Sequence, residues 1–117
     1  MTRQQKWAHG AFQKVLEQKD SPKTRAGYRT LALKMPVLVQ QSGASQALAF
    51  IWSRGEGEPE RKYLEDLAAV YGAPSPKALL ERAQGASLAE YMAFSRDLIT
   101  LGIWFRRFAQ SELPKEG

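Results

Sequence analysis

Glycine and proline cut this chain into short blocks, and within each block the apolar residues recur at three- and four-residue spacing. That pattern restricts the fold to packed helices. No window alternates apolar and polar residues with period two, and the β-branched residues are scattered, so no strand is predicted. Thr2 and Gln5 have capping-box spacing ahead of Trp7, Ala8, Ala11, Phe12, Val15 and Leu16, a first helix that stops near Lys19 and Asp20. Ser21 before Pro22 predicts an N-cap and first turn for the second helix. Its stripe of Tyr28, Leu31, Ala32, Met35, Leu38 and Val39 continues past Pro36, so a kinked helix reaching Gln41 is expected rather than a broken one. Gly43 is a natural stop.

The run Ala47 to Trp52 makes a third helix, over 44–54, apolar nearly all round and expected to be the most buried. Residues 55–59 are read as a mobile loop. A fourth helix holds Tyr63, Leu64, Leu67, Ala68 and Tyr71 and ends at Gly72. Ser75 and Pro76 open a short fifth helix that Gly85 closes. Ser87 and Glu90 form a second capping box for a last helix from Leu88 to about Gln110, followed by a frayed tail over 113–117. The expected architecture is a single-domain all-α bundle of about six helices over residues 1–117.

Composition removes several kinds of chemistry. The absence of cysteine excludes disulfides, thiolate metal sites and thiol nucleophiles, and it suits a reducing cytoplasm, the expected location. With His9 as the single histidine, most histidine-based constellations are excluded as well, and no metal or cofactor is expected. No apolar run approaches the roughly 20 residues that span a bilayer, and the first residues lack the apolar core of a signal peptide. Glu56, Glu58, Glu60, Glu65 and Asp66 could in principle hold a divalent ion. They read better as a solvated loop and a helix start, where the helix dipole favours acids. The chain is therefore read as a non-enzyme.

Charge is unevenly spread. Residues 1–54 carry nine basic side chains against two acids, while residues 55–117 carry eight against ten. Such asymmetry in a small domain fits either a solvated basic surface or a polyanionic partner. Arg3, Lys6 and Lys14 fall on one face of the first helix, and Lys23, Arg25, Arg29 and Lys34 follow with no acid among them. On the last helix Phe94, Leu98, Leu101, Phe105 and Phe108 form an apolar arc, with Leu88, Tyr91, Met92 and Ile99 widening it. Arg96 and Arg107 share the polar face about 16 Å apart, with Trp104 turned toward them as an interface anchor. Arg106 points toward the apolar arc and must snorkel, pair or meet a partner.

The segment from Met35 through Pro36, Gly43 and the Gln46-Ala47-Leu48-Ala49-Phe50 run to Arg54 resembles the small α-helical subunit, subunit five, of the type III-B CRISPR effector (Cmr) complex. The ending Trp104-Phe105-Arg106-Arg107-Phe108-Ala109 resembles that family too. The family pattern has Asn-Gly-Leu at the turn where this chain has Ser42-Gly43-Ala44.

The resemblance implies a non-catalytic subunit that packs along the inner filament of an RNA-guided complex. Its partners would be the backbone subunits, further copies of itself, and guide and target RNA. Arg54, Arg106 and Arg107 match the family's basic positions, whereas Arg3, Lys6, Lys14, Lys23, Arg25 and Arg29 are candidates from charge alone. Arg96 and Trp104 are the candidate protein contacts. Two alternatives are the helical small subunit of a type III-A complex and a stand-alone, nonspecific nucleic-acid-binding protein.

Overall fold

The computed structural model describes residues 1–54 and 57–115. These form five helices: α1 Arg3–Gln18, α2 Arg25–Ser53, α3 Glu58–Tyr71, α4 Pro76–Gly85 and α5 Leu88–Glu112. Gly43 bends α2 with φ +82°, so α2 consists of two helical arms and the bundle has six helical segments. The left-handed backbone there is open to glycine and strained for most other residues. The second arm returns along the first, which brings Phe50 and Arg54 into one groove with Leu31, Lys34 and Leu38.

Both capping boxes form. The Thr2 and Ser87 hydroxyls accept from the N–H groups of Gln5 and Glu90, whose side chains accept in return from the cap N–H groups. Gly72 closes α3 in the left-handed region, and the Ser75 hydroxyl caps α4. Pro36 stays inside α2 as the periodicity predicted, with its ring buried against Gly102 of α5. A Cβ at Gly102 would lie 3.3 Å from that ring, so the missing side chain lets the two helices approach closely.

Ring and charge contacts set the directions of packing. Arg3 meets Asp97, Phe12 meets Phe108 and Lys19 meets Glu112, so α1 and α5 run side by side in the same direction. α3 runs against both, pairing Tyr71 with Trp7 and Phe94 at one end and Tyr63 with Phe105 at the other. The first arm of α2 is antiparallel to α5, from Pro36 at Gly102 to Gly43 at Tyr91. Tyr28, Met35, Leu48, Ile51, Tyr63, Leu67, Leu79, Leu98, Leu101 and Phe105 fill the centre. Each large side chain buried in this way contributes about 1.5–3 kcal/mol of transfer free energy.

Several expectations are corrected. α2 begins at Arg25 behind Thr24, because Ser21 to Thr24 closes as a turn in which the Ser21 carbonyl accepts from the N–H groups of Thr24 and Arg25. The second arm of α2 is not the most buried element. Ala44, Ala47, Leu48 and Ile51 face inward, while Phe50 and Trp52 are each 47% exposed. Leu88 and Met92 do not widen the apolar arc of α5 but stand in solvent. α5 continues to Glu112, and Leu113 is packed into the core rather than frayed, its N–H bonded to the Ala109 carbonyl. Of the expected loop at 55–59, residues 55–56 lie outside the described residues, as do 116–117 of the tail; α3 already begins at Glu58, with Pro59 in its first turn.

Candidate nucleic-acid interface

α5 sorts its charges by face. Of its three acids Glu90 caps the helix start, whereas Asp97 accepts from Arg3 at 2.6 Å and Glu112 lies 3.4 Å from Lys19, so these two are turned toward α1. Arg96, Arg106 and Arg107 form no ion pair within 4 Å among the described residues. Arg106 and Arg107 line a shallow groove of about 320 Å³ with Ile103 and Gln110. Arg106 therefore lies half-buried beside the apolar arc instead of pointing into it. Arg96 is exposed on the same helix, eleven positions before Arg107, or about 16 Å along the axis.

Trp104 is less free than its place on the helical wheel predicts. Its indole N–H donates to Gln4 Oε1 at 3.3 Å, and its ring stacks on Phe108 at 5.8 Å. α1 therefore covers part of it, and Arg107 sits 5.6 Å from its ring centre. Arg3, beside its ion pair with Asp97, lies 4.2 Å from the Trp7 ring. Lys6 is exposed on the same end of α1, whereas Lys14 is half-buried further along.

The remaining candidates lie elsewhere. Lys23 is exposed in the turn before α2 and lines a cleft of about 490 Å³ with Gln18, Ser21, Pro22, Thr24, Glu58 and Lys62. Arg25 donates to the Lys19 carbonyl at 2.8 Å, tying the end of α1 to the start of α2. Arg29 is half-buried, and its Nε has no hydrogen-bond partner among the described residues. Arg54 is exposed beside Phe50, with its guanidinium carbon 5.4 Å from the ring centre. The structure thus gathers Arg106 with Arg107 and sets Arg3 against Asp97 of α5. It leaves Lys23, Arg25, Arg29 and Arg54 on other parts of the surface.

The acidic candidates separate. Glu56 lies outside the described residues, and Glu58 and Glu60 occupy the first turn of α3. Asp66 is an interior residue, accepting from the Tyr28 hydroxyl and the Lys62 ammonium at 2.7 Å each. Lys62 also reaches Glu17 at 3.6 Å. Burial raises the Asp66 carboxyl above the usual range, and its two donors only partly oppose this. Burial pulls the Lys62 ammonium down, but Asp66 and Glu17 outweigh that and its net shift is upward. No group of three or more His, Asp or Glu side chains converges as a metal site among the described residues. Among the described residues no helix is long and apolar enough to cross a membrane.

Two surface features escaped the sequence reading. Lys34 shares the α2 groove with Arg54, and Phe50 is half out of the core. Lys34 was visible as one of the uncompensated bases of α2, but the position of Phe50 depends on how the second arm folds back.

Fold and surface together define a small all-α protein in which one helix carries three arginines that form no ion pair among the described residues. A sequence model of the CRISPR-associated Cas_Cmr5 family matches residues 3–112. The chain belongs to the Cmr5 family, the one its residues resemble. It is 44% identical over 110 residues to a CRISPR system Cmr subunit Cmr5 from Thermus thermophilus, covering 94% of this chain and 95% of that protein. The crystal structure of a CRISPR-associated Cmr5 family protein from Thermus thermophilus superposes with a TM-score of 0.92 at 42% identity, over 97% of this chain and all of the other.

Proposed function

We propose that this chain is the small, non-catalytic subunit of a type III-B RNA-guided effector complex. It packs along the inner filament beside the backbone subunits and lines the path of paired guide and target RNA. Its basic α5 face neutralises phosphates without reading bases, since pairing to the guide carries the sequence information. The observation that carries this reading is the sorting of charge on α5, where Asp97 and Glu112 turn to α1 while Arg96, Arg106 and Arg107 form no ion pair among the described residues. The relative's name as a Cmr subunit supports assembly with other proteins.

The test is reconstitution of the effector complex with wild-type chain or with Arg106→Glu plus Arg107→Glu. The variant is expected to lose RNA retained at moderate salt, or its place in the complex, while the isolated chain keeps its helical circular dichroism. Normal assembly together with normal RNA protection would overturn the assignment. The isolated chain is expected to leave RNA intact in Mg²⁺ or Mn²⁺; cleavage that Glu58→Gln abolishes would contradict a non-catalytic role.

A further inference from the structure

The groove between the two arms of α2 combines features that a phosphate-neutralising surface does not need. It is lined by Gly27, Thr30, Leu31, Lys34, Leu38, Phe50, Arg54 and Glu60 and encloses about 290 Å³. That volume lies at the lower edge of the roughly 300–1,000 Å³ of small-ligand clefts, enough for one planar group and far too little for a duplex. Its apolar lining, Leu31, Leu38 and Phe50, includes an aromatic ring that is 47% exposed. Its cations, Lys34 and Arg54, make no ion pair within 4 Å among the described residues, although Glu60 lines the same groove. Glu60 Oε2 is buried and has no hydrogen-bond donor among the described residues.

We propose that this groove holds a single unpaired nucleotide of an RNA strand, with its base stacked on Phe50, its flanking phosphates at Lys34 and Arg54, and an amino group of the base donating to Glu60. The inference rests on the RNA-binding reading above and adds a second site to it. Electrostatics select the occupant. A phosphate or an acidic peptide filling the groove would set its charge against Leu31, Leu38, Phe50 and the Glu60 carboxylate, whereas a neutral base packs on the apolar lining and brings an N–H donor to Glu60. The cations then serve the charged backbone on either side of the base. The Arg54 guanidinium lies over the Phe50 ring, 5.4 Å from its centre, so a nucleotide stacked at that ring has a cation within reach of its phosphate. Stacking on an aromatic ring tolerates any base. The carboxylate favours adenine and cytosine, which carry amino groups, over uracil, which carries none.

The experiment measures fluorescence anisotropy of the isolated chain with labelled single-stranded oligo-A, oligo-C and oligo-U and with a duplex RNA of equal length. Phe50→Leu keeps the groove apolar but removes the ring, and thermal melting confirms that this variant folds. It is expected to weaken oligo-A and oligo-C binding about five- to tenfold and to leave duplex binding unchanged. Glu60→Gln is expected to erase the preference for A and C over U. Salt-sensitive RNA binding that Phe50→Leu leaves intact, or weakens equally for single strand and duplex, removes the nucleotide site and spares the function proposed above. A wild-type chain that binds no RNA removes both. If Phe50→Leu impairs only assembly with other subunits, the groove is a protein contact and the proposal is wrong.

Discussion

Asp66 shows how one interior carboxylate can shape the pH response of the protein. Its pKa is raised above the ordinary 3.8, chiefly by burial. Between 3.8 and the folded value the native form holds more protons than the unfolded chain, so stability from this group is full below 3.8 and is lost as pH climbs through the folded value. Urea midpoints taken from acid to neutral pH should therefore show wild type losing ground to Asp66→Asn as pH rises; a constant gap would contradict the buried, raised carboxyl. Tyr28 and Tyr63 are raised by burial above their ordinary 10.0, and the net shift of Lys62 is upward from 10.5. The sign is the same for all three, because each keeps its proton longer in the folded state. Their stability is complete below about pH 10 and declines above it, which circular dichroism through an alkaline titration would show as unfolding. Sequence marked Asp66 only as an acid near the start of a helix. That it faces Tyr28 of another helix depends on how α2 and α3 dock.

Among the helices, the bend in α2 is the most demanding joint. Gly43 has φ +82°, and a Cβ there would lie 2.6 Å from the Tyr91 hydroxyl oxygen. That oxygen accepts from the Ser45 N–H at 3.1 Å, one of the first N–H groups of the second arm. Gly43→Ala should destabilise by more than about 1 kcal/mol. Tyr91→Phe should cost about 1 kcal/mol by leaving that N–H without its acceptor. The double variant should cost less than the two combined, since removing the hydroxyl also relieves the clash, and chemical denaturation of the three variants would reveal the coupling. The capping boxes and glycine stops were legible because each depends on neighbouring residues. The start of α2 was misread because Ser21 and Pro22 serve a turn as well as they would serve a helix, and that choice is made by how α1 hands the chain to α2.

For the whole molecule, the cationic surface predicts binding to single-stranded RNA that weakens steeply with salt. Each neutralised phosphate of a single strand should contribute about −0.7 to the slope of log affinity against log salt. Engagement of Arg96, Arg106 and Arg107 together gives a slope of about −2, and Arg106→Glu plus Arg107→Glu should flatten it measurably. An unchanged slope would mean that α5 does not meet the RNA. The excess of basic residues in the first 54 positions was visible beforehand, but their division into separate surface regions was not. Positions distant in sequence share a surface only through packing, as Arg3 does with Asp97 and Gln4 with Trp104.

The chain alone determined that this protein is helical, where capping boxes and glycine stops bound its helices, and which family it belongs to, because periodicity, caps and motif residues are short-range properties. Tertiary structure decided which apolar side chains stay outside, which charges cancel and which remain unpaired. Those outcomes follow from the return of α2 on itself at Gly43 and from the parallel docking of α1 on α5. Both are long-range packing solutions that turn Phe50 to solvent, tuck Leu113 into the core and use Asp97 and Glu112 of α5 to hold α1.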